Sequence, residues 1–191
     1  IEDQDLSTPL GVGEQYSVAV DVSPDKSALS GEFSAAGLPD PGDGVIELTV
    51  QLTSTDFEML GDTLRPLRLP RTGPSRGKAR FDVSPQRTGQ CGLSATVAYQ
   101  GNFVSQLRLG IPVGQPGEFT AETVGRPVDS AAVLEPRDLS LVIRPDTAGG
   151  YSCIALGSVG NEATLPLSVD EMANAAADAR SNLTAVVTGV F

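Results

Sequence analysis

The residues that most often carry catalysis are scarce in this chain. It contains no histidine and only two cysteines, Cys91 and Cys153. Without histidine there are no Ser-His or Cys-His nucleophile–base pairs and no His-ligated metal sites, and two cysteines cannot complete a four-cysteine zinc site. Ser23 and Lys26 have the Ser-x-x-Lys spacing that lets a lysine face a serine across one helical turn, but Pro24 indicates a turn there. We therefore predict no catalytic, cofactor-binding or metal-binding residues and no enzymatic activity.

Apolar residues alternate with polar ones along most of the chain, which predicts β-strands. These strands must therefore position any residues that bind a partner. Residues 78–113 predict a meander of three strands, with a hairpin turn at Gln100-Gly101-Asn102. Pro66 lies inside a further strand pattern and favours an edge position for it. The other predicted strands cover residues 16–22, 45–52, 64–69, 119–124, 139–143, 151–156 and 163–169, with a weaker one at 29–33. Residues 56–62 are predicted to be a loop.

Near residue 170 the apolar period changes from two to about 3.6, which predicts a helix over about 170–187. Ser168 and Glu171 have capping-box spacing and would fix its start. The predicted apolar face of the helix consists of Met172, Ala176, Ala179, Leu183 and Val187. The helix would pack on the sheets through this face or lead into a following domain.

The chain of 191 residues fits one large all-β domain or two small ones. We predict a β-sandwich of about nine to eleven strands with a single C-terminal α-helix. A Gly- and Pro-containing segment at 114–117 is the predicted boundary. It would separate a domain at 1–113, with an extended N-terminal lead-in, from a second one at 118–191, unless the two pack as one unit.

Charge is distributed unevenly along the sequence. The formal net charge of −11 argues against a nucleic-acid or anionic-membrane partner. Residues 1–62 carry thirteen acids and one lysine, whereas residues 63–87 carry seven bases and one acid. The basic segment is interpreted either as a charged, aggregation-resistant edge strand with a solvated loop, or as a docking patch for an acidic partner or for the chain's own acidic N-terminal part. The candidate partner-binding residues are Arg65, Arg68, Arg71, Arg76, Lys78, Arg80, and, at the hairpin tip, Tyr99 and Phe103.

No apolar run approaches the roughly 18 residues of a membrane-spanning helix, and no signal peptide is visible. The chain begins at Ile1 rather than Met. We therefore expect a processed product or a piece of a longer protein, with no membrane partner.

One short stretch, Asp146-Thr-Ala-Gly-Gly-Tyr151-Ser-Cys153, resembles the Asp-x-Ala/Gly-x-Tyr-x-Cys of immunoglobulin domains. The resemblance implies an immunoglobulin-like β-sandwich with a tyrosine corner and a disulfide between Cys91 and Cys153. The sequence departs from that family by the extra Gly150 and by the lack of tryptophan. Two buried free thiols are the alternative.

A longer resemblance spans roughly residues 45–187. It rests on Asp56-Phe57, Leu67-Arg-Leu-Pro70, Phe81-Asp-Val-Ser-Pro85, Gly89, Ala95-Thr-Val-Ala-Tyr99-Gln-Gly101-Asn-Phe103, Leu107, Val113, Asp138-Leu-Ser-Leu141, Tyr151 and the Ala-rich helix. These segments are similar to the β-rich regions that accompany caspase-like (CHAT) peptidase domains and other effector domains in large bacterial proteins.

The longer resemblance implies a cytoplasmic, non-catalytic protein-interaction or regulatory module. It would restrain or position an adjoining effector domain or receive a protein partner. The alternative is an extracellular immunoglobulin-like adhesion or receptor module held by the Cys91–Cys153 disulfide.

Overall fold

The computed structural model describes residues 1–2, 5, 7–23, 29–35, 37–125, 135–145, 150–157, 161–165 and 167–188. It is all-β, with antiparallel sheets and one C-terminal helix, which confirms the predicted fold class at the level of a sandwich-like β protein. The described elements are β1 (Tyr16–Val20), β2 (Val45–Thr53), β3 (Phe57–Met59), β4 (Leu64–Pro70), β5 (Ala79–Pro85), β6 (Gly89–Tyr99), β7 (Asn102–Val113), β8 (Thr120–Gly125), β9 (Leu139–Pro145), β10 (Tyr151–Gly157), β11 (Asn161–Leu165) and α1 (Val169–Thr188).

Two sheets pack face to face around the main core. The larger has the order β4-β2-β6-β7-β8 and the smaller the order β1-β5-β3. Alternate residues of each strand point to opposite faces, so Leu48, Val50 and Leu52 of β2 all turn toward the other sheet and are fully buried. Phe81 and Val83 of β5 meet them in the same apolar cluster. The period-two pattern of the sequence therefore becomes the shared interior of a sandwich.

The meander predicted for residues 78–113 is wrong in one respect. β6 and β7 form the predicted hairpin, but β5 pairs with β1 and β3 in the opposite sheet. Alternation marks one face of a strand as buried without saying which sheet the strand joins, and Phe81 and Val83 reach the same core from the other side. Two smaller predictions also fail: Phe57–Met59 is a strand rather than a loop, and residues 29–33 contain no strand.

The N-terminal lead-in ties the two sheets together. The backbone N–H of Leu10 donates to the carbonyl of Pro112 at 2.9 Å, and the N–H of Gly13 donates to the carbonyl of Pro85 at 2.8 Å. Leu10 forms a parallel bridge with Val113 and is 1% exposed. Because Pro112 belongs to the larger sheet and Pro85 to the smaller one, these contacts close one end of the sandwich.

The hairpin between β6 and β7 turns as predicted. Gln100 and Gly101 have φ values of 48° and 76°, and two successive positive values are typical of a type I′ turn. The side-chain amide of Asn102 donates to the carbonyls of Tyr99 and Gln100, both at 3.3 Å. A bulge at Val97/Ala98 shifts the register near the tip.

A third sheet has the order β11-β10-β9. The chain divides into two compact units, residues 1–140 with 155–161 and residues 141–154 with 162–191. The boundary predicted at 114–117 stays a prediction.

The predicted start of α1 is confirmed by its cap. The Ser168 backbone N–H donates to Glu171 Oε2 at 2.8 Å, and the Glu171 N–H donates to Ser168 Oγ at 3.3 Å. Of the predicted apolar face, Met172 is half-buried, whereas Ala176 and Ala179 are exposed. The side chains of Leu183 and Val187 lie outside the described part.

Candidate protein-interaction surface

The basic segment is built from β4, the loop that follows it and β5. β4 is an edge strand of the larger sheet, as Pro66 predicts. Pro66 and Pro70 lack the N–H that a neighbouring strand would need, so this edge is a poor template for further strand pairing. The alternation in β4 buries Leu67 and Leu69 and leaves Arg68 exposed.

Most of the basic charge in this segment is paired with acids from residues 1–62. The pairs are Arg65–Asp62 at 2.9 Å, Arg71–Asp40 at 3.3 Å, Lys78–Glu2 at 3.8 Å, Arg80–Glu2 at 2.8 Å and Arg87–Asp56 at 2.6 Å. The second sequence interpretation thus has a structural counterpart, since the chain's own acidic part contacts the basic segment. Most of these pairs are exposed and individually contribute little to stability.

Glu2 is shared by two bases. Glu2 Oε2 accepts a hydrogen bond from Arg80 Nε at 2.8 Å, and Glu2 Oε1 accepts one from Arg80 Nη2 at 3.1 Å. Lys78 Nζ lies 3.8 Å from the same Oε1 atom. The hydrogen bonds from Arg80 lower the pKa of Glu2 and raise the pKa of Arg80. This bidentate contact places the N-terminal residues against β5.

Arg68 and Arg76 differ from their neighbours because neither makes an ion pair with any described residue. They are direct partners in an isolated antiparallel bridge, in which the Arg76 N–H donates to the Arg68 carbonyl at 2.7 Å. Both are exposed. Glu47 is the direct cross-strand partner of Arg68 on β2; it forms no ion pair with Arg68 but offsets part of the Arg68 charge. Like charges directly opposite each other on neighbouring strands repel, so this pair favours an anion.

The hairpin-tip candidates are placed separately from this pair. Tyr99 packs against the core cluster, and Phe103 is half-buried. Residues 135–137 cover the turn: Asn102 Nδ2 donates to the Glu135 carbonyl at 2.9 Å, and the Arg137 N–H donates to the Gln100 carbonyl at 2.9 Å. The tip is thus engaged within the chain, and its role in partner binding stays a prediction.

Both cysteines are free thiols in this structure. Cys91 is fully buried on the core face of β6, where its thiol donates to the Arg87 carbonyl at 3.4 Å, and burial raises its pKa. A buried thiol with a raised pKa is a poor nucleophile. Cys153 is half-buried. The Cys91–Cys153 disulfide stays a prediction, and residues 146–149 of the proposed tyrosine corner lie outside the described residues.

The larger sheet also contains a buried polar row on the face turned away from the main core. Gln51, Thr96 and Gln106 are neighbours across β2, β6 and β7, and each is at most 1% exposed. Gln106 Nε2 donates to Thr96 Oγ1 at 2.9 Å, and Gln51 Nε2 donates to the Ala155 carbonyl at 3.1 Å. These side chains hold strands together, and sequence alternation alone would have assigned them to solvent.

A cleft of about 960 Å³ lies between the two main sheets, where the three-stranded sheet leaves part of the five-stranded one uncovered. Residues 29–34 run along it, and Gly31 passes so close to Thr123 and Leu107 that a Cβ atom would clash with both. Its other walls are mainly aliphatic side chains of the sandwich core. The cleft surface is therefore mixed, because polar residues such as Asp21, Ser30 and Glu32 line it beside the aliphatic side chains.

Within the described ranges, no group of three or more cysteine, aspartate or glutamate side chains is placed to hold a metal ion. Of the Ser-x-x-Lys motif only Ser23 is described. Among the helices of the described part, none combines the length and the apolar character needed to cross a membrane. No family model, no curated protein and no solved structure matches this chain.

Proposed function

We propose that this chain is a non-catalytic protein-interaction module that receives an acidic segment of a protein partner or of an adjoining domain. The observation that carries this proposal is the facing pair Arg68 and Arg76. Both side chains are exposed beside the β4 edge, and neither is ion-paired within the described residues. Every other base of residues 65–87 has an acidic partner in the chain.

A carboxylate between two guanidinium groups relieves their repulsion and accepts directional hydrogen bonds from both. Arginine is well suited to this because its planar fork matches a carboxylate and always keeps its charge. The net charge of −11 repels acidic molecules elsewhere on the surface, so binding depends on this local arrangement. The module therefore selects a partner that offers carboxylates at a defined position.

The resemblance of residues 45–187 to segments of bacterial effector proteins supports a finer proposal. In it, the acidic segment belongs to an adjoining effector domain, which the module positions or restrains inside the cytoplasm.

The test uses the full chain and a fluorescein-labelled twelve-residue peptide of alternating Glu and Gly, followed by fluorescence anisotropy at low salt. Arg68→Gln and Arg76→Gln are each expected to weaken binding by about fivefold, which corresponds to ~1 kcal/mol. Arg71→Gln is the matched control, because the charge of Arg71 is already paired with Asp40. Equal weakening by Arg71→Gln, or absence of binding by the unmodified chain, would contradict the proposal.

A further inference from the structure

Strand β9 presents its apolar side chains to solvent. Leu139, Leu141 and Ile143 are 58%, 61% and 50% exposed, whereas Ser140 and Val142 between them are half-buried. The Ser140 hydroxyl is buried and has no hydrogen-bond partner among the described residues. A half-buried strand normally turns its largest apolar residues inward, so this exposure is the reverse of the usual arrangement. The reversal indicates that the outer face of β9 is covered by something beyond a single copy.

The position of β9 in its sheet makes this exposure more consequential. β9 is an edge strand in the order β11-β10-β9. Side chains two residues apart on a strand are about 6.6 Å apart on one face, so the three form a continuous apolar row. Edge strands of single-copy proteins usually avoid such rows by means of charges, prolines or covering elements.

Helix α1 is a second uncovered element of the same chain. It is twenty residues long, which corresponds to about 30 Å. Met172 is half-buried, and every other described side chain from Val169 to Asn182 is exposed. Packing of an apolar face normally supplies most of the stability of a helix in a protein, and Ala176 and Ala179 lack such packing here. β9 and α1 therefore both expose apolar side chains that contact with another element would bury.

We propose that two copies of this chain associate by placing α1 of each copy on the outer face of β9 of the other. In a single copy, the side chains of Leu141 and Ile143 are exposed to solvent, although both residues belong to the same compact unit as α1. The small residues Ala176 and Ala179 allow the helix to approach closely, and the larger β9 side chains fill the space beside them. This inference goes beyond the proposed function, since Arg68 and Arg76 take no part in it.

Charge and symmetry both favour a second copy as the occupant. β9 carries one arginine and no acid, and α1 carries three acids against Arg180. The strand and the helix therefore have opposite net charge, which favours their contact. One row of three side chains is small beside the roughly 1,200 Å² that a specific interface buries, and a two-fold arrangement doubles the contact by using both elements of both copies.

The test measures molar mass by sedimentation equilibrium of the full chain from low micromolar to about 200 µM. The unmodified chain is expected to form a dimer. Leu141→Lys and Ala176→Asp, each alone, are expected to give monomers. The matched controls are Leu60→Lys, at an exposed leucine outside β9, and Ala177→Asp, on the side of α1 away from Ala176; both should leave the dimer intact.

Mixing the two interface variants distinguishes contact between copies from local damage within each variant. In the mixture, the new lysine of Leu141→Lys would face the new aspartate of Ala176→Asp on the other copy, and the opposite contact would keep the native residues. We expect the mixture to regain a dimer of one copy of each. A monomeric unmodified chain at about 200 µM, dissociation by the control variants, or a mixture that stays monomeric would overturn the proposal.

Discussion

Asp56 Oδ1 lies 2.6 Å from Nε of Arg87, and this ion pair joins the loop after β2 to the turn between β5 and β6. The other carboxylate oxygen accepts the backbone N–H of Gly92 at 2.7 Å. Ser54 completes the junction, because its hydroxyl donates to the Gly92 carbonyl at 2.6 Å and accepts the N–H of Asp56 at 2.9 Å. The side chain of Asp56 is only 13% exposed, so this pair links the two sheets in a partly desolvated setting.

The first prediction concerns stability in acid. Desolvation, the largest single influence, raises the pKa of Asp56, but the combined hydrogen bonds and charge of Arg87 and the Gly92 N–H outweigh it and hold the pKa below its ordinary value. A carboxyl whose pKa is depressed by folding stabilises the protein above its unfolded pKa of about 3.9, and this stabilisation is lost as the pH falls through the folded pKa. Asp56→Asn should therefore lower the free energy of unfolding at pH 7 by about 1–3 kcal/mol, with a smaller difference in strong acid.

Urea unfolding between pH 2 and pH 7 measures this effect. Asp62→Asn is the matched control, since its pair with Arg65 is exposed and should change stability by less than about 1 kcal/mol. If Asp56→Asn lowered the free energy of unfolding by the same amount at every pH, the stabilising role assigned to the ionised Asp56 carboxylate would be contradicted.

The second prediction concerns the buried polar row of the larger sheet. Thr96→Val removes the acceptor of the Gln106 amide in a site that is fully buried, and should cost about 1–3 kcal/mol of unfolding free energy. Thr49→Val makes the same change on the same face of the sheet at an exposed position and should be nearly neutral. Adding Gln106→Leu to Thr96→Val should recover part of the loss, because it removes the Gln106 amide that Thr96→Val leaves without its acceptor. Chemical denaturation measures both differences. If Thr96→Val cost no more than Thr49→Val and Gln106→Leu recovered nothing, this account would be refuted.

The third prediction concerns the β6–β7 turn. Gly101 and Gly73 both have positive φ, 76° and 87°, so alanine at either position costs about 1–2 kcal/mol of backbone strain. Only at Gly101 would the new Cβ also collide with the carbonyl of Arg137, whereas Gly73 faces open space. Thermal unfolding should therefore show a larger loss for Gly101→Ala than for Gly73→Ala. Equal losses would mean that residues 135–137 do not cover the turn in solution.

The fourth prediction concerns the cysteines. Titration with a thiol reagent in denaturant, without reductant, should find two free thiols per chain. In the native protein Cys91 should react more slowly than Cys153, because it is fully buried and its pKa is raised. Fewer than two thiols would favour the immunoglobulin-like, disulfide-bonded alternative for this chain.

The sequence determined which residues share a face and where the elements change type. Alternation located most of the strands, Pro66 identified an edge strand, and Ser168 with Glu171 located the start of α1, because each of these signals depends on neighbours within a few residues. The excess of acids in residues 1–62 and of bases in residues 63–87 also anticipated contacts within the chain, five of which are ion pairs.

Only the tertiary structure decided which face of each strand is covered and by what. Leu139, Leu141 and Ile143 have the same alternation as the buried residues of β2, yet they face solvent, whereas Gln51 and Gln106 are buried in polar positions of their pattern. Likewise, the pairing of β5 with β1 depends on strands that are distant in sequence. Period-two alternation divides a strand into two faces, but burial depends on the neighbours that long-range pairing brings to each face.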